Sequence, residues 1–532
     1  MIDALKTAPL TRPLWRLRWA AGTALIVALF LAGGSDSGGI SSPGFTIGRE
    51  NTWFRVQNQS GTSATIGAAY LNEAGGLIDQ DTYPNVKRAR SAPPFYQSTN
   101  PDLPRGYRGS STIFSNQRVA GLLFRSIKDG SGLHRYGGVT ATLPAPAKRV
   151  YLPLVYRNFG YHSAWNTRII VMNTSANRAA CVGLSYWKAG GASTPLPMDP
   201  ANYPNSCINI PPLGTIRRDV VDMTALGDQW LGSVMVDVAG GDDSASKQII
   251  VANAEIWNKE RGNFSSYTGL CWKIGLASPL CPSGAGAYTP VLLPLIFRSY
   301  GYLNQWETYL MIQTHDNKTL PVQIDFKGTV NGVPFETTYG PFIVTTSRPC
   351  YLASADPAAS CSDEGTSNGP LPVGFIGSAS VSDAPGEALA VVATRYSNRA
   401  PIQSTYSGFS ARNVNGTLPP HSTYLPLIYR KYGWRGPKGN ARGWNSWFQV
   451  QVADGTTAQI SVTYFPDNGG PAINEQATIN GSGALFQYSN AALGNGFIGS
   501  AIIQSDKPVA IVAMVGNDAY VGDADAAYEA VP

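Results

Sequence analysis

The sequence is poor in charge: Asp, Glu, Lys and Arg make up 14% of its 532 residues, against about a quarter in an ordinary soluble domain. Long amphipathic helices and coiled coils draw on Ala, Glu, Lys and Leu, so the deficit argues against both. Histidine is scarcer still. His134, His162, His315 and His421 fall at unrelated positions without His-x-x-x-His spacing, which leaves no support for a metal or triad role. No Cys-x-x-Cys pair occurs, so the spacing of a structural zinc site is missing. Gly365-Thr366-Ser367-Asn368-Gly369 matches a nucleophile elbow in letters only, because a polar stretch precedes it and Pro370 follows. No phosphate-cradling Gly-rich loop stands between a strand and a helix. Nothing here assembles an enzyme, and no cofactor is expected.

What is plentiful points to strands. The chain holds 57 Gly and 38 Pro, and 43% of its residues are hydrophobic, enough to bury several cores between many turns. Length alone allows three or four domains. The expected class is all-β.

Half of the formal charge of +6 sits in the first 34 residues. Lys6, Arg12, Arg16 and Arg18 oppose Asp3 there, leaving 36 basic and 33 acidic groups on residues 35–532. So balanced a surface carries no electrostatic footprint for nucleic acid. After Arg18-Trp19 run thirteen mostly apolar residues, Ala20 to Ala32, followed by small residues from Gly33 onward. That run is shorter than the roughly 20 residues of a spanning helix. Residues 1–34 therefore read as a secretory signal peptide, with a retained hydrophobic anchor as the alternative, and 35–43 as a Gly/Ser linker. Gly34 stands where a lipoprotein would need its lipidated Cys. Six cysteines fit the oxidising compartment that export implies, and sequence proximity favours Cys181–Cys207, Cys271–Cys281 and Cys350–Cys361.

Internal repetition is the strongest signal. One nonapeptide occurs three times, as Leu152-Pro-Leu-Val-Tyr-Arg-Asn-Phe-Gly160, Leu293-Pro-Leu-Ile-Phe-Arg-Ser-Tyr-Gly301 and Leu425-Pro-Leu-Ile-Tyr-Arg-Lys-Tyr-Gly433, at offsets of 141 and 132 residues. A Trp-led strand follows each copy, at Trp165, Trp306 and Trp444-Asn445. Asn51-Thr52-Trp53-Phe54-Arg55-Val56-Gln57 resembles Asn445-Ser446-Trp447-Phe448-Gln449-Val450-Gln451, and Gly109-Ser110 aligns with Gly499-Ser500, which adds a further unit at the start. Trp53, Trp165, Trp306 and Trp447 are read as beginning equivalent strands. The expected units are 44–147, 148–288, 289–420 and 421–532: four tandem β-sandwiches, immunoglobulin-like or jelly-roll-like, with period-two alternation such as Val322, Ile324, Phe326 and Ile460, Val462, Tyr464.

Pro153, Pro294 and Pro426 cannot donate to a ladder, so the Leu-Pro-Leu element is expected at a strand start or edge, as a junction strand. Arg157, Arg298 and Arg430 are read as structural, paired with a carboxylate or stacked on aromatic neighbours. Three copies serve four units, so one end unit is expected to lack this strand. The clustered Asp518, Asp523 and Asp525, together with Asp242-Asp243 and Asp129-Gly130, read as solvated turn residues, with structural calcium as the alternative. Asn58, Asn173 and Asn317 head glycosylation sequons. Among the aromatic residues, Trp187, Trp257, Trp272 and Trp434 break the repeat pattern and are the candidate glycan contacts.

The Leu-Pro-Leu-Ile-Tyr-Arg element, the Trp-Asn strand and the Gly-Phe-Ile-Gly-Ser-Ala strand at Gly374 to Ala379 and Gly496 to Ala501 resemble those of uncharacterised exported tandem-repeat β-proteins of bacteria, of the Chloroflexota type. The resemblance implies a cell-surface location and lends no catalytic residues. The expectation is thus an exported, non-enzymatic structural protein of a surface layer, filament or sheath, secreted or held at the cell surface. It would self-associate head-to-tail through a strand donated by a neighbouring molecule. An adhesin or carbohydrate-binding array is the alternative, with other surface proteins or glycans as partners.

Overall fold

The computed structural model describes residues 27–31, 49–128, 134–139, 146–160, 164–191, 198–201, 204–239, 249–258, 264–272, 290–301, 305–314, 318–353, 361, 371–383, 389–399, 402–410, 421–433, 443–517 and 525–531. For 27–31, 49–50, 126–128, 134–139 and 272 it describes the backbone alone. Apart from short 3-10 turns, all regular structure among these residues is extended, in eight antiparallel sheets. No helix among them is long and apolar enough to cross a membrane. The all-β expectation holds.

The sheets follow two recurring strand orders. In one, a junction strand pairs with a Gly-Ser strand and then a hairpin, and in the second and third repeats a short strand, Leu270–Trp272 or Phe409–Ser410, also pairs with the start of the junction strand. The junction strands are Val27–Leu31, Arg149–Arg157, Val291–Arg298 and His421–Arg430, paired with Gly109–Ser115, Trp230–Val238, Phe375–Asp383 and Phe497–Ser505. In the other order an opening strand (Arg49–Asn58, Trp165–Asn173, Trp306–Thr314, Asn445–Val452) pairs with a return strand (Val119–Lys128, Ile250–Asn258, Leu389–Ser397, Val509–Gly516). The return strand in turn pairs with an axial strand: His134–Val139, Phe264–Thr268, Gln403–Ser407 or Asp525–Glu529.

One sheet of each kind closes over an apolar core. Phe54, Val56, Ile66, Ala68, Ile113 and Leu123 build the first core, and Phe448, Val450, Ile460, Val462, Ile503 and Ile511 the last. The alternation of Ile460, Val462 and Tyr464 inward and Gln459, Ser461 and Thr463 outward is as the period predicts. The return strands break it: all of Val509 to Val515 is buried. These strands are covered on both faces, because Val512 and Met514 leave their own core and join that of the preceding repeat. Tyr309, Met311 and Val392 of the third repeat enter the second core in the same way. Ala120, Leu122 and Phe124 of the first repeat enter the fourth, and Ile170, Met172 and Val251 of the second meet Leu71 of the first. A strand buried on two faces reads as a continuous apolar run.

That last pair of contacts closes a cycle. The first repeat packs on the fourth as the fourth packs on the third, and at the centre each axial strand touches the next, with Asp525–Glu529 returning to His134–Val139.

Two expected disulfides are present, Cys181–Cys207 and Cys350–Cys361, with Cα separations of 5.3 and 5.0 Å. Cys271 is also disulfide-bonded. Its expected partner Cys281 lies outside the described residues. Disulfides fit an oxidising, extracellular environment.

Candidate functional site at the repeat junctions

The Leu-Pro-Leu element builds each junction. In the second repeat Leu152 lies opposite Val234 and Val155 opposite Gly232, so Pro153 and Leu154 together face Ser233. The same two-against-one break follows Leu293 and Leu425. Proline has no N–H to give, and the strand accommodates it as a β-bulge. The bulge leaves the backbone of the following leucine without ladder partners, and the tyrosine of the axial strand supplies them. Tyr406 Oη accepts from the Leu295 N–H at 3.1 Å and donates to its carbonyl at 2.6 Å. Tyr528 Oη donates to the Leu427 carbonyl at 2.5 Å. Burial pushes the phenols of Tyr267, Tyr406 and Tyr528 well above their ordinary pKa.

Two residues further on, a hydroxyl from the opening strand takes the next N–H. Thr167 accepts from Tyr156 at 2.8 Å, Thr308 from Phe297 at 2.9 Å and Ser446 from Tyr429 at 2.9 Å. The recurring arginines end the strand at its rim: Arg157 on Asp228 at 2.7 Å, Arg298 on Glu307 at 2.8 Å, Arg430 on the Asn495 side-chain Oδ1 at 2.8 Å. All three contacts lie within one repeat. The closing Gly160, Gly301 and Gly433 have φ of +78°, +79° and +88°, which accounts for the invariant ninth letter.

The first repeat has no Leu-Pro-Leu, and Val27–Leu31 occupies its junction place. Leu29 lies opposite Ser111 as Leu425 lies opposite Ala501, and Leu31 reaches Gly109 without a bulge. The end unit expected to lack a junction strand is thus filled by Val27–Leu31 of the same chain. Its axial strand differs in step. Val139 stands opposite Leu123, where the fourth repeat sets Tyr528 opposite Ala513.

Polar side chains then select which faces meet. Gln57 Nε2 crosses to the Ala501 carbonyl at 3.1 Å, and Gln451 Nε2 crosses to the Ala379 carbonyl at 3.1 Å, in both cases beside the bulge. At the axis, Arg125 of the first repeat pairs with Glu255 of the second, which also meets Arg168 at 3.5 Å. Burial pushes the Glu255 carboxyl up, and Arg125 and Arg168 overcome that, leaving it below the usual range. Ser265 and Thr405 share a hydrogen bond of 3.0 Å between the second and third repeats. Arg395 of the third pairs with Asp525 of the fourth.

Aromatic rings line the outer side of the junctions. Phe297, Tyr300 and Trp306 meet Trp447 and Phe486. Tyr429, Tyr432 and Trp444 form the corresponding group of the fourth repeat, and Trp53, Tyr96 and Phe124 that of the first. The tryptophan equivalence needs correction. Trp165, Trp306 and Trp444 each bridge to the aromatic residue before the closing glycine, whereas Trp53 and Trp447 stand three residues deeper and pair with Tyr96 and Phe486. One register slip had merged two positions.

Other candidates fall away. Trp187 is 2% exposed and offers no face to a ligand, and Trp257 lies under the Arg168 guanidinium. The side chain of Trp272 and all of Trp434 lie outside the described residues. Asn58 and Asn173 are buried: Asn58 Nδ2 donates to the Thr62 and Val86 carbonyls, Asn173 Nδ2 to those of Arg178, Ile210 and Pro211, so neither is open to a sugar. Asn317, His162, His315, the 365–369 loop and the acidic turns at 129–130, 242–243, 518 and 523 also lie outside the described residues. No group of His, Cys, Asp or Glu that could hold a metal ion occurs among the described residues.

No family model matches the chain, and no curated protein matches it. Among solved structures, a Thermotoga maritima protein, 1070, is 14% identical over 20% of this chain and 90% of its own, with a TM-score of 0.17. Dimeric latent PorU from Porphyromonas gingivalis is 9% identical over 77% of this chain and 31% of its own, with a TM-score of 0.11. Neither likeness carries weight for fold or function.

Proposed function

We propose that the chain is an exported, non-enzymatic structural protein of the cell surface, built from four tandem β-sandwiches (44–147, 148–288, 289–420 and 421–532) closed into a ring. The closed cycle of junctions supports this reading above all. Its return strands are buried on both faces, its bulges are locked by tyrosines, and polar pairs such as Arg125–Glu255 and Arg395–Asp525 join neighbouring repeats. Disulfides and low charge suit a durable extracellular body.

A closed ring has no free end at which further sandwiches add. Assembly between molecules therefore uses the one place filled by a separable strand. Removal of the leader at the small residues after Ala32 takes Val27–Leu31 away and opens the Gly109–Ser115 edge, which a strand from a neighbouring molecule enters by antiparallel pairing. The test compares the chain with and without residues 1–34 by light scattering and electron microscopy, alongside images of native cell surface. The full chain is expected as a single four-lobed ring, the shortened chain as an assembly. A shortened chain that stays monomeric at high concentration overturns the exchange, and surfaces lacking any lattice, filament or sheath built of this protein overturn the structural role.

A further inference from the structure

The contact between the fourth and first repeats carries more than packing. Tyr96 is 47% and Tyr432 36% exposed, and Tyr432 lies near enough for its charge to oppose ionisation of Tyr96, whose phenol is pushed up chiefly by burial. Trp53 lies 5.7 Å from the Tyr96 ring, with Phe124 stacked behind it at 4.6 Å. Beside them Arg55 of the first repeat pairs with Asp467 of the fourth. The guanidinium is fully buried and its Nε and Nη1 have no hydrogen-bond partner, while the carboxylate is 28% exposed. Buried donors without partners are uncommon, and here they sit next to a carboxylate at the surface.

The contact between the third and fourth repeats serves as an internal comparison. It has the same aromatic architecture, including a half-exposed Phe486, but Phe486 has no hydroxyl and Gln449 stands where Arg55 does. That junction therefore holds without a Tyr96 hydroxyl or an Arg55–Asp467 pair at these positions. The added Tyr96 hydroxyl, carboxylate and arginine need another explanation.

We propose that Tyr96, Tyr432, Trp53 and the Arg55–Asp467 pair form a binding site for a pyranose ring of a glycan. The apolar C–H face of such a ring stacks on an exposed aromatic ring, and its hydroxyls, each both donor and acceptor, suit a carboxylate held by an arginine. The site is independent of the structural role, since a ring-shaped scaffold can exist without it.

The experiment titrates the full chain with cellohexaose, chitohexaose, xylohexaose and hexagalacturonate, read by tryptophan fluorescence and calorimetry. Saturable binding of at least one probe in the low-millimolar range or tighter is expected. Tyr96→Ala and Asp467→Asn should each weaken it roughly tenfold or more, while Phe486→Ala, at the comparison junction, leaves it unchanged. Near-UV circular dichroism checks that the variants keep their fold, and Tyr432→Phe, which preserves the stacking face, should bind more tightly than Tyr432→Ala. Failure of all four probes to bind, or wild-type affinity in a folded Tyr96→Ala chain, overturns the site and leaves the structural role standing.

Discussion

The Tyr267 hydroxyl accepts the Leu154 N–H at 2.9 Å and donates to the Leu154 carbonyl at 2.8 Å. One phenol thereby replaces both ladder bonds that Pro153 displaces. The leucine is fully buried, so without the tyrosine two backbone groups would lie in apolar surroundings unpaired. Because the tyrosine stands on the axial strand, the same contact ties a sheet edge to the centre of the ring. A local irregularity in the junction strand has become a fastening between the two sheets of a repeat.

Replacing that phenol tests the fastening. Tyr267→Phe and Tyr406→Phe keep the ring and remove the hydroxyl, and each should destabilise its repeat by about 1–3 kcal/mol, the cost of leaving buried groups unsatisfied. Urea unfolding followed by fluorescence measures it. Tyr488→Phe, on an exposed side chain, is the control and should stay within about 0.5 kcal/mol.

The same bonds explain what could be read from the sequence. Leu-Pro-Leu announced itself because three nonapeptides matched, and the proline predicted a departure from regular pairing. Its partner tyrosine lies 113 residues away in the second repeat and 111 in the third, in a short segment that the two share, Ser265-Ser-Tyr-Thr-Gly269 and Ser404-Thr-Tyr-Ser-Gly408, but nothing in those letters says which backbone the phenol meets. Alternation located the cores where one face is solvated, as at Ile460 and Val462. It said nothing of ring closure, because Val512, Met514 and Leu122 look like ordinary core residues and only their orientation sends them to a neighbouring repeat. Sequence also separated Val27–Leu31 from the fold, since an apolar leader segment and an apolar edge strand share one composition.

Glu255 links stability to acid. Its carboxyl is held below the usual range in the folded chain, so the folded state binds its proton less readily than the unfolded state does. The contribution is complete above the unfolded pKa of about 4.3 and is lost as pH falls through the folded value. Glu255→Gln should remove this acid-dependent component, and at neutral pH it should destabilise by about 3–5 kcal/mol by taking the carboxylate charge away from the buried Arg125, while Arg168 keeps Asp219 at 2.6 Å. Denaturant midpoints measured from pH 3 to pH 7 for both chains give the comparison; parallel curves would refute the assignment.

Alkali acts through the fastening tyrosines with the opposite sign. Their pKa values are raised by burial, so the neutral phenol is favoured in the fold. Its contribution is whole below the unfolded pKa of about 10 and declines as pH rises from there toward the folded values. Phenolate absorbance from these tyrosines should therefore appear together with loss of near-UV dichroism, in one step above pH 10. Removing one fastening by Tyr406→Phe should reduce this alkaline dependence.

Gly301 carries a separate strain test. Its φ of +79° falls in the left-handed region, and an added Cβ would approach nothing closer than the Trp306 Cδ1 at 3.9 Å. Among the described residues space is therefore available, and conformation is the obstacle. Gly301→Ala should destabilise by about 1–2 kcal/mol, the penalty for a side chain in that region, and Gly433→Ala, with φ of +88° and Trp444 Cδ1 also at 3.9 Å, should match it. Asn at either place should recover part of the loss, because its short polar side chain tolerates the conformation. An alanine chain as stable as wild type in urea would show that the turn relaxes, and that the ninth letter of the nonapeptide is kept for another reason.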